Sequence, residues 1–199
     1  MTSKHGAGGA GSVASMGEVI AQRLETLKDI TDESGRLTRL YLSPAHRRAI
    51  DLVGDWMREA RMEVALDATG SVIGRTAGPR ADAPTLLIGS HIDTVRNAGA
   101  FDGNLGVVVG IEVVRRLAVE GRRLACAIEV VAFGDEEGVR FASTLGGSRA
   151  LAGTFDARIL DERDGEGQSR RDALVRFGCD PAGIQDLARP VPSTLGYLE

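Results

Sequence analysis

Two apolar runs, residues 85–90 and 124–133, constrain this chain more than any other feature, because each stops at a loop of glycines and acids. Between them, residues 105–120 place Val108, Ile111, Val114 and Leu117 at helical spacing and end at Gly121. A buried strand, a loop, a helix and a second buried strand make a βαβ unit, which requires parallel strands and a right-handed crossover. Both polar loops then leave the carboxyl ends of strands, where open α/β sheets place their sites.

The flanking pattern fits that frame. Val13, Met16, Ile20, Leu24 and Leu27 recur at three and four, an amphipathic helix ending near Ile30. Ser43-Pro44 is a cap followed by a proline at the first helical position. The helix it opens turns Ala49, Ile50, Val53, Trp56, Met57 and Ala60 inward. Residues 63–66 and 71–75, separated by Asp67-Ala68-Thr69-Gly70, read as a hairpin. Past the second loop, residues 143–152 read as helical, residues 161–168 as solvated, and Ser169 with Asp172 as the cap of a helix ending at Phe177-Gly178. Asp180-Pro181 opens another short helix, and residues 196–199 read as the beginning of a strand. The expected fold is α/β, a mostly parallel sheet flanked by helices.

The chemistry lies in the two loops. His91 stands at the end of a strand with Asp93 two positions on, and a metal-ligating imidazole gives its other ring N–H to a carboxylate that fixes the tautomer, the part the Asp93 side chain can play. Asp102 precedes Gly103 at the start of a helix, where a close-lying backbone can present both carboxylate oxygens and bridge two metals. Glu136 and Glu137 are adjacent, so one can bind metal while the other reaches the water on it. Singly, each of these is more often a turn or a solvated pair; together, at the ends of two buried strands, they make a metal site with oxygen and imidazole donors suited to Zn²⁺ or Mn²⁺.

Composition excludes several alternatives. The 199 residues carry 24 Lys and Arg against 28 Asp and Glu, a formal charge of −4, so no basic stripe exists for nucleic acid or an anionic membrane. No apolar stretch of about 18 residues is present to span a bilayer. The first dozen residues read as a flexible Gly/Ala/Ser tail. Two cysteines, Cys126 and Cys179, form no disulfide framework, which fits a reducing cytoplasm. Gly103, Gly106 and Gly110 do not give the G-x-G-x-x-G spacing of a nucleotide-binding turn.

With these residues in view, the chain resembles the carbamoylase and allantoate amidohydrolase branch of the two-metal aminopeptidase-like hydrolases. The likeness is carried by Gly89-Ser90-His91-Ile92-Asp93-Thr94-Val95, by Phe101-Asp102-Gly103, and by Asp135-Glu136-Glu137-Gly138-Val139-Arg140-Phe141. Tyr41-Leu42-Ser43-Pro44-Ala45-His46-Arg47 and Gly146-Gly147-Ser148 fit the same branch. The resemblance implies that His91 binds one of two divalent ions, Asp102 bridges both, Glu137 binds the second, Glu136 is the general base and Asp93 orients His91. It further implies hydrolysis of a ureido or N-carbamoyl C–N bond in a small carboxylate, with release of ammonia and carbon dioxide, by a homodimeric full-length protein. Allantoate is the favoured substrate; an N-carbamoyl-L-amino acid or 3-ureidopropionate is the alternative.

The family pattern holds two further ligand histidines and a dimerising lid domain, and the three histidines here are His5, His46 and His91. His46 matches a structural position. The expectation is therefore that residues 13–199 form the first part of a catalytic domain that is inactive alone and binds Zn²⁺ weakly. A truncated, non-catalytic paralogue acting as a binding subunit is the competing expectation.

Overall fold

A computed structural model describes residues 14–199; the proposed tail at residues 1–12, and Val13, lie outside them. The first helix, α1 (Met16–Lys28), opens on Ser15, whose side chain accepts from Glu18 N while Glu18 reaches back to Ser15 N. Two orphan donors are thereby satisfied together. The second, α2 (Pro44–Glu59), is capped by Ser43 and buries the six residues that the spacing turned inward, counting Ala60 just past its end.

The hairpin β1 (Glu63–Leu66) and β2 (Val72–Arg75) pairs antiparallel. β3 (Thr85–His91), α3 (Asn104–Val119) and β4 (Ala127–Phe133) form the βαβ unit, with β3 and β4 parallel. The sheet order is β1-β2-β4-β3-β5. It is mixed: β2 joins β4 antiparallel, and the parallel part is β4, β3 and β5 (Thr194–Leu198). The last strand lies where residues 196–199 suggested one, begun two residues earlier.

One face of the sheet, with Val72, Ile128, Val130 and Ala132, is covered by α2 and α3; α1 packs on α3, and α1 and α5 (Arg170–Phe177) add residues to the same core. The other carries Ile73, Leu87, Val131 and Phe133 with Leu151 from α4 (Gly146–Leu151). A Cβ at Gly106 would lie 2.7 Å from Ser90 Cβ, and one at Gly110 3.1 Å from Ile88. These glycines let α3 lie close on the sheet, which is why they stand at this spacing without a nucleotide turn.

Three expectations shift. β4 begins at Ala127 rather than Leu124, which is exposed. α4 starts at Gly146 because Leu145 is left-handed (φ 63°) and cannot continue a helix begun at Ser143. Residues 161–168 are not wholly solvated: Glu162 accepts from Arg170, and Asp164 and Gln168 from Arg140. Charge and glycine content signalled exposure there, but the buried Arg170 and the part-buried Arg140 drew these side chains inward.

Candidate metal centre

The register of β3 on β4 sets His91 opposite Phe133, so both loops leave the sheet at one level. In the first loop, the buried His91 has Nδ1 2.9 Å from the Asp93 carbonyl oxygen. A carbonyl only accepts, so the ring proton sits on Nδ1 and the Nε2 lone pair is free to face outward. Nε2 lies 4.0 Å from Asp102 Oδ1 and 3.7 Å from Glu136 Oε2.

Gly103, at φ +64°, is where the Asp102 turn crosses the imidazole. A Cβ there would lie 2.5 Å from His91 Cε1, Nδ1 and O, so only glycine admits this crossing.

Behind this loop stands Arg39, fully buried. Its guanidinium donates to the carbonyls of Ile92 (2.6 Å), Leu27 (2.7 Å) and Ile30 (2.9 Å) and to Asn104 Oδ1 (2.7 Å). One cation thus ties the end of β3 to the start of α3. Burial pulls its pKa down to about 10, against the charges of Asp93 and Asp32.

The second loop follows β4. Asp135 is buried and left-handed at φ 65°, and its carboxylate turns inward to Arg170, away from Glu136 and Glu137. The Asp93 carboxylate reaches across from the first loop and accepts from Glu136 N and Glu137 N, each at 3.3 Å. Sequence reading gave that carboxylate to His91. It lies 3.9 Å from Nδ1, and the carbonyl makes the imidazole contact instead. Burial raises the Asp93 pKa, opposed chiefly by the neighbouring His91 and the two amides.

His91, Asp102 and Glu137 each offer one ligand atom within 4.8 Å of the others, and Glu136 sits at the edge of the group. Burial raises the Glu137 pKa; His91 opposes this, and the neighbouring Glu136, Asp102 and Asp93 add to it. An imidazole lone pair and crowded carboxylates fit a divalent cation such as Zn²⁺ or Mn²⁺, which would relieve that repulsion. A cavity of about 600 Å³ opens beside Glu136, lined by Leu145, Ser148, Leu151 and Tyr197 among others.

His46 lies away from this group and is buried. Its Nδ1 accepts from Leu42 N (3.1 Å), and its ring stacks on Phe177 with centroids 5.4 Å apart. Burial, then the charges of Arg39 and Arg140, drive its pKa down to about 3, so it is neutral and structural. Sequence reading missed Arg39, Asp135 and Arg170. The only available signal was a third acid ahead of Glu136-Glu137.

The family described as Peptidase family M28 matches residues 71–167, a span that holds both loops. An N-carbamoyl-L-amino acid amidohydrolase of Geobacillus stearothermophilus is 45% identical over 184 residues, 92% of this chain and 45% of that protein. Allantoate deiminase 1 of Glycine max is 41% identical over 181 residues, 89% of this chain and 38% of that protein. A hydantoinase/carbamoylase family amidase from Burkholderia ambifaria superposes with a TM-score of 0.77 at 38% identity, over 82% of this chain and 40% of its own. The chain thus spans less than half the length of the relatives it matches. With three motifs in order on a shared fold, the chain belongs to the carbamoylase and allantoate amidohydrolase branch of the metal-dependent, aminopeptidase-like hydrolases.

Proposed function

We propose that this chain carries the metal-binding loops of a cytoplasmic, homodimeric hydrolase that cleaves a ureido or N-carbamoyl C–N bond in a small carboxylate, allantoate being the favoured substrate. The observation that supports it is the convergence of His91, Asp102 and Glu137 within 4.8 Å, with Glu136 beside them. His91 would hold one ion, Asp102 would bridge two, and Glu137 would hold the second. When bound, Zn²⁺ or Mn²⁺ supplies Lewis-acid polarisation of the carbonyl and acidifies the attacking water.

The protein's own groups do the rest. The Asp93 carbonyl holds the proton on His91 Nδ1 and leaves Nε2 basic. The Asp93 carboxylate fixes the Glu136 and Glu137 amides, which sets where their side chains start. Glu136 takes a proton from water as it adds to the carbamoyl carbon, then returns it to the departing nitrogen as the C–N bond breaks. Carbamate loss gives ammonia and carbon dioxide. A reaction that moves one proton out and back needs one base placed beside, and not buried within, the ligand group; Glu136 is half-buried there.

The relatives' names divide between allantoate and N-carbamoyl amino acids. Ammonia release from allantoate, an N-carbamoyl-L-amino acid and 3-ureidopropionate by the full-length metal-loaded protein decides among them. Turnover of one, abolished in Glu136→Gln, is expected. Zn²⁺ binding with no turnover of any would overturn the reading in favour of a non-catalytic subunit.

A further inference from the structure

We propose that Arg170 and Asp135 are a positioning clamp that holds Glu136 and Glu137 at the metal centre from behind. This rests on the metal-centre reading above. The first observation is direction: Asp135 adopts φ 65°, a conformation that L residues avoid, and its inverted backbone points its own carboxylate into the core while the next two acids lie at the site. Leu145 N and Gly146 N both donate to the Asp135 carbonyl, at 2.6 and 3.3 Å, and hold that inversion.

The second is what the inward carboxylate meets. Arg170, 1% exposed, ion-pairs with Asp135 and is itself fixed by Ser143 O (3.0 Å) and Glu162 Oε2 (3.1 Å), its guanidinium 4.6 Å from the Phe141 ring centre. A Cβ on Gly146 would lie 2.8 Å from Asp135 Oδ2, so glycine leaves the room that the carboxylate takes. The third is that the same span is gripped on the opposite side, where the Asp93 carboxylate takes the Glu136 and Glu137 amides. A buried ion pair adds little net stability over apolar packing, and in some proteins such pairs serve to specify one arrangement. Here the arrangement it specifies is the approach of two acids to His91.

The test uses Co²⁺ as the probe in the full chain, reading its affinity by competition with a chromophoric chelator and its visible bands at saturation. Arg170→Met should weaken Co²⁺ about tenfold or more, the range for groups that orient ligands, and shift the bands; Arg170→Lys should recover part of both. Leu174→Ala, one turn along α5 and equally buried, is the control that weakens the core alone. Wild-type affinity and bands in folded Arg170→Met would overturn the clamp, as would an equal change in Leu174→Ala. Should Arg170→Met not fold, Asp135→Asn is read against the same control by the same criteria. His91→Ala separates the two readings, because unchanged Co²⁺ binding there would sink the metal centre itself.

Discussion

The two loops of the centre are built by different physics. The first is held by a lone cation, Arg39, whose acceptors are three carbonyls and an amide; among the described residues it has no carboxylate within ion-pair distance. The second is held by charge against charge, Arg170 on Asp135 with Glu162 behind. The difference follows from where the chain comes from. The chain just past β3 and the C-terminal end of helix α1 offer backbone carbonyls, Ile92, Leu27 and Ile30, which a cation can gather, whereas residues 134–145 form no regular element and need an acid of their own to anchor them. A neutral cradle tolerates loss of its cation better than an ion pair tolerates loss of one partner.

Arg170→Met should therefore cost about 3–5 kcal/mol, because it leaves Asp135 buried and unpaired. Arg39→Met should cost less, about 1–3 kcal/mol, since the carbonyls it strands are neutral and a buried charge is removed with it. Urea denaturation of both variants checks the order, and equal losses would break the distinction.

Glycine substitutions sharpen it. Gly103→Ala adds left-handed strain and drives into the ring and backbone of His91, which predicts about 2–4 kcal/mol and loss of metal affinity. Gly138→Ala, at φ +63° in the second loop, meets the Thr144 methyl, which can rotate away, and should cost about 1–2 kcal/mol from the backbone alone. Denaturation midpoints with and without Zn²⁺ separate the two; a larger Zn²⁺ effect in Gly138→Ala would reverse the ranking.

Acid provides a third comparison, since the charges of both Arg39 and Arg140 bear on His46. Its folded pKa of about 3 lies below the value of about 6.5 in the unfolded chain. Its contribution is thus present above pH 6.5 and lost as pH falls toward 3, at up to about 1.4 kcal/mol per unit. Relative to wild type, the part of this loss nearest pH 4 should be smaller in Arg39→Met, where one of the opposing charges is gone and the folded pKa rises; an unchanged difference between pH 7 and pH 4 would show that the charge of Arg39 does not bear on the shift. The smallest effect belongs to the surface. Arg96, which pairs with Glu33 at 2.6 Å on the rim of the first loop, is exposed, and Arg96→Ala should cost under about 1 kcal/mol. A larger loss in a salt-dependent melt would place the loop's anchorage outside rather than at Arg39.

What was legible in the sequence follows the same division. The βαβ unit, the hairpin and the caps of α2 and α5 were readable because local spacing and turn chemistry decide them. So were the residues that converge: His91, Glu136 and Glu137 because they stand at or just past strand ends, and Asp102 because it precedes a glycine at a helix start. Arg39 and Arg170 were not, since a buried arginine looks like a surface one until its acceptors are known, and those lie as far off as Asn104 and Asp135. Asp93 was read as a partner for the imidazole through its side chain. Only the fold shows that its carbonyl does this and that its carboxylate joins the two loops.

The in-register pairing of β3 and β4 has a further consequence. His91 and the acidic loop arise from neighbouring strands, so the gap the ligand atoms must close starts from the interstrand repeat of about 4.8 Å, a length fixed by backbone hydrogen bonding in every sheet. The sheet thus acts as a ruler for the start of the two loops. A slip of one residue would carry His91 about 3.3 Å along and turn it to the other face, ending the site without altering any of its residues.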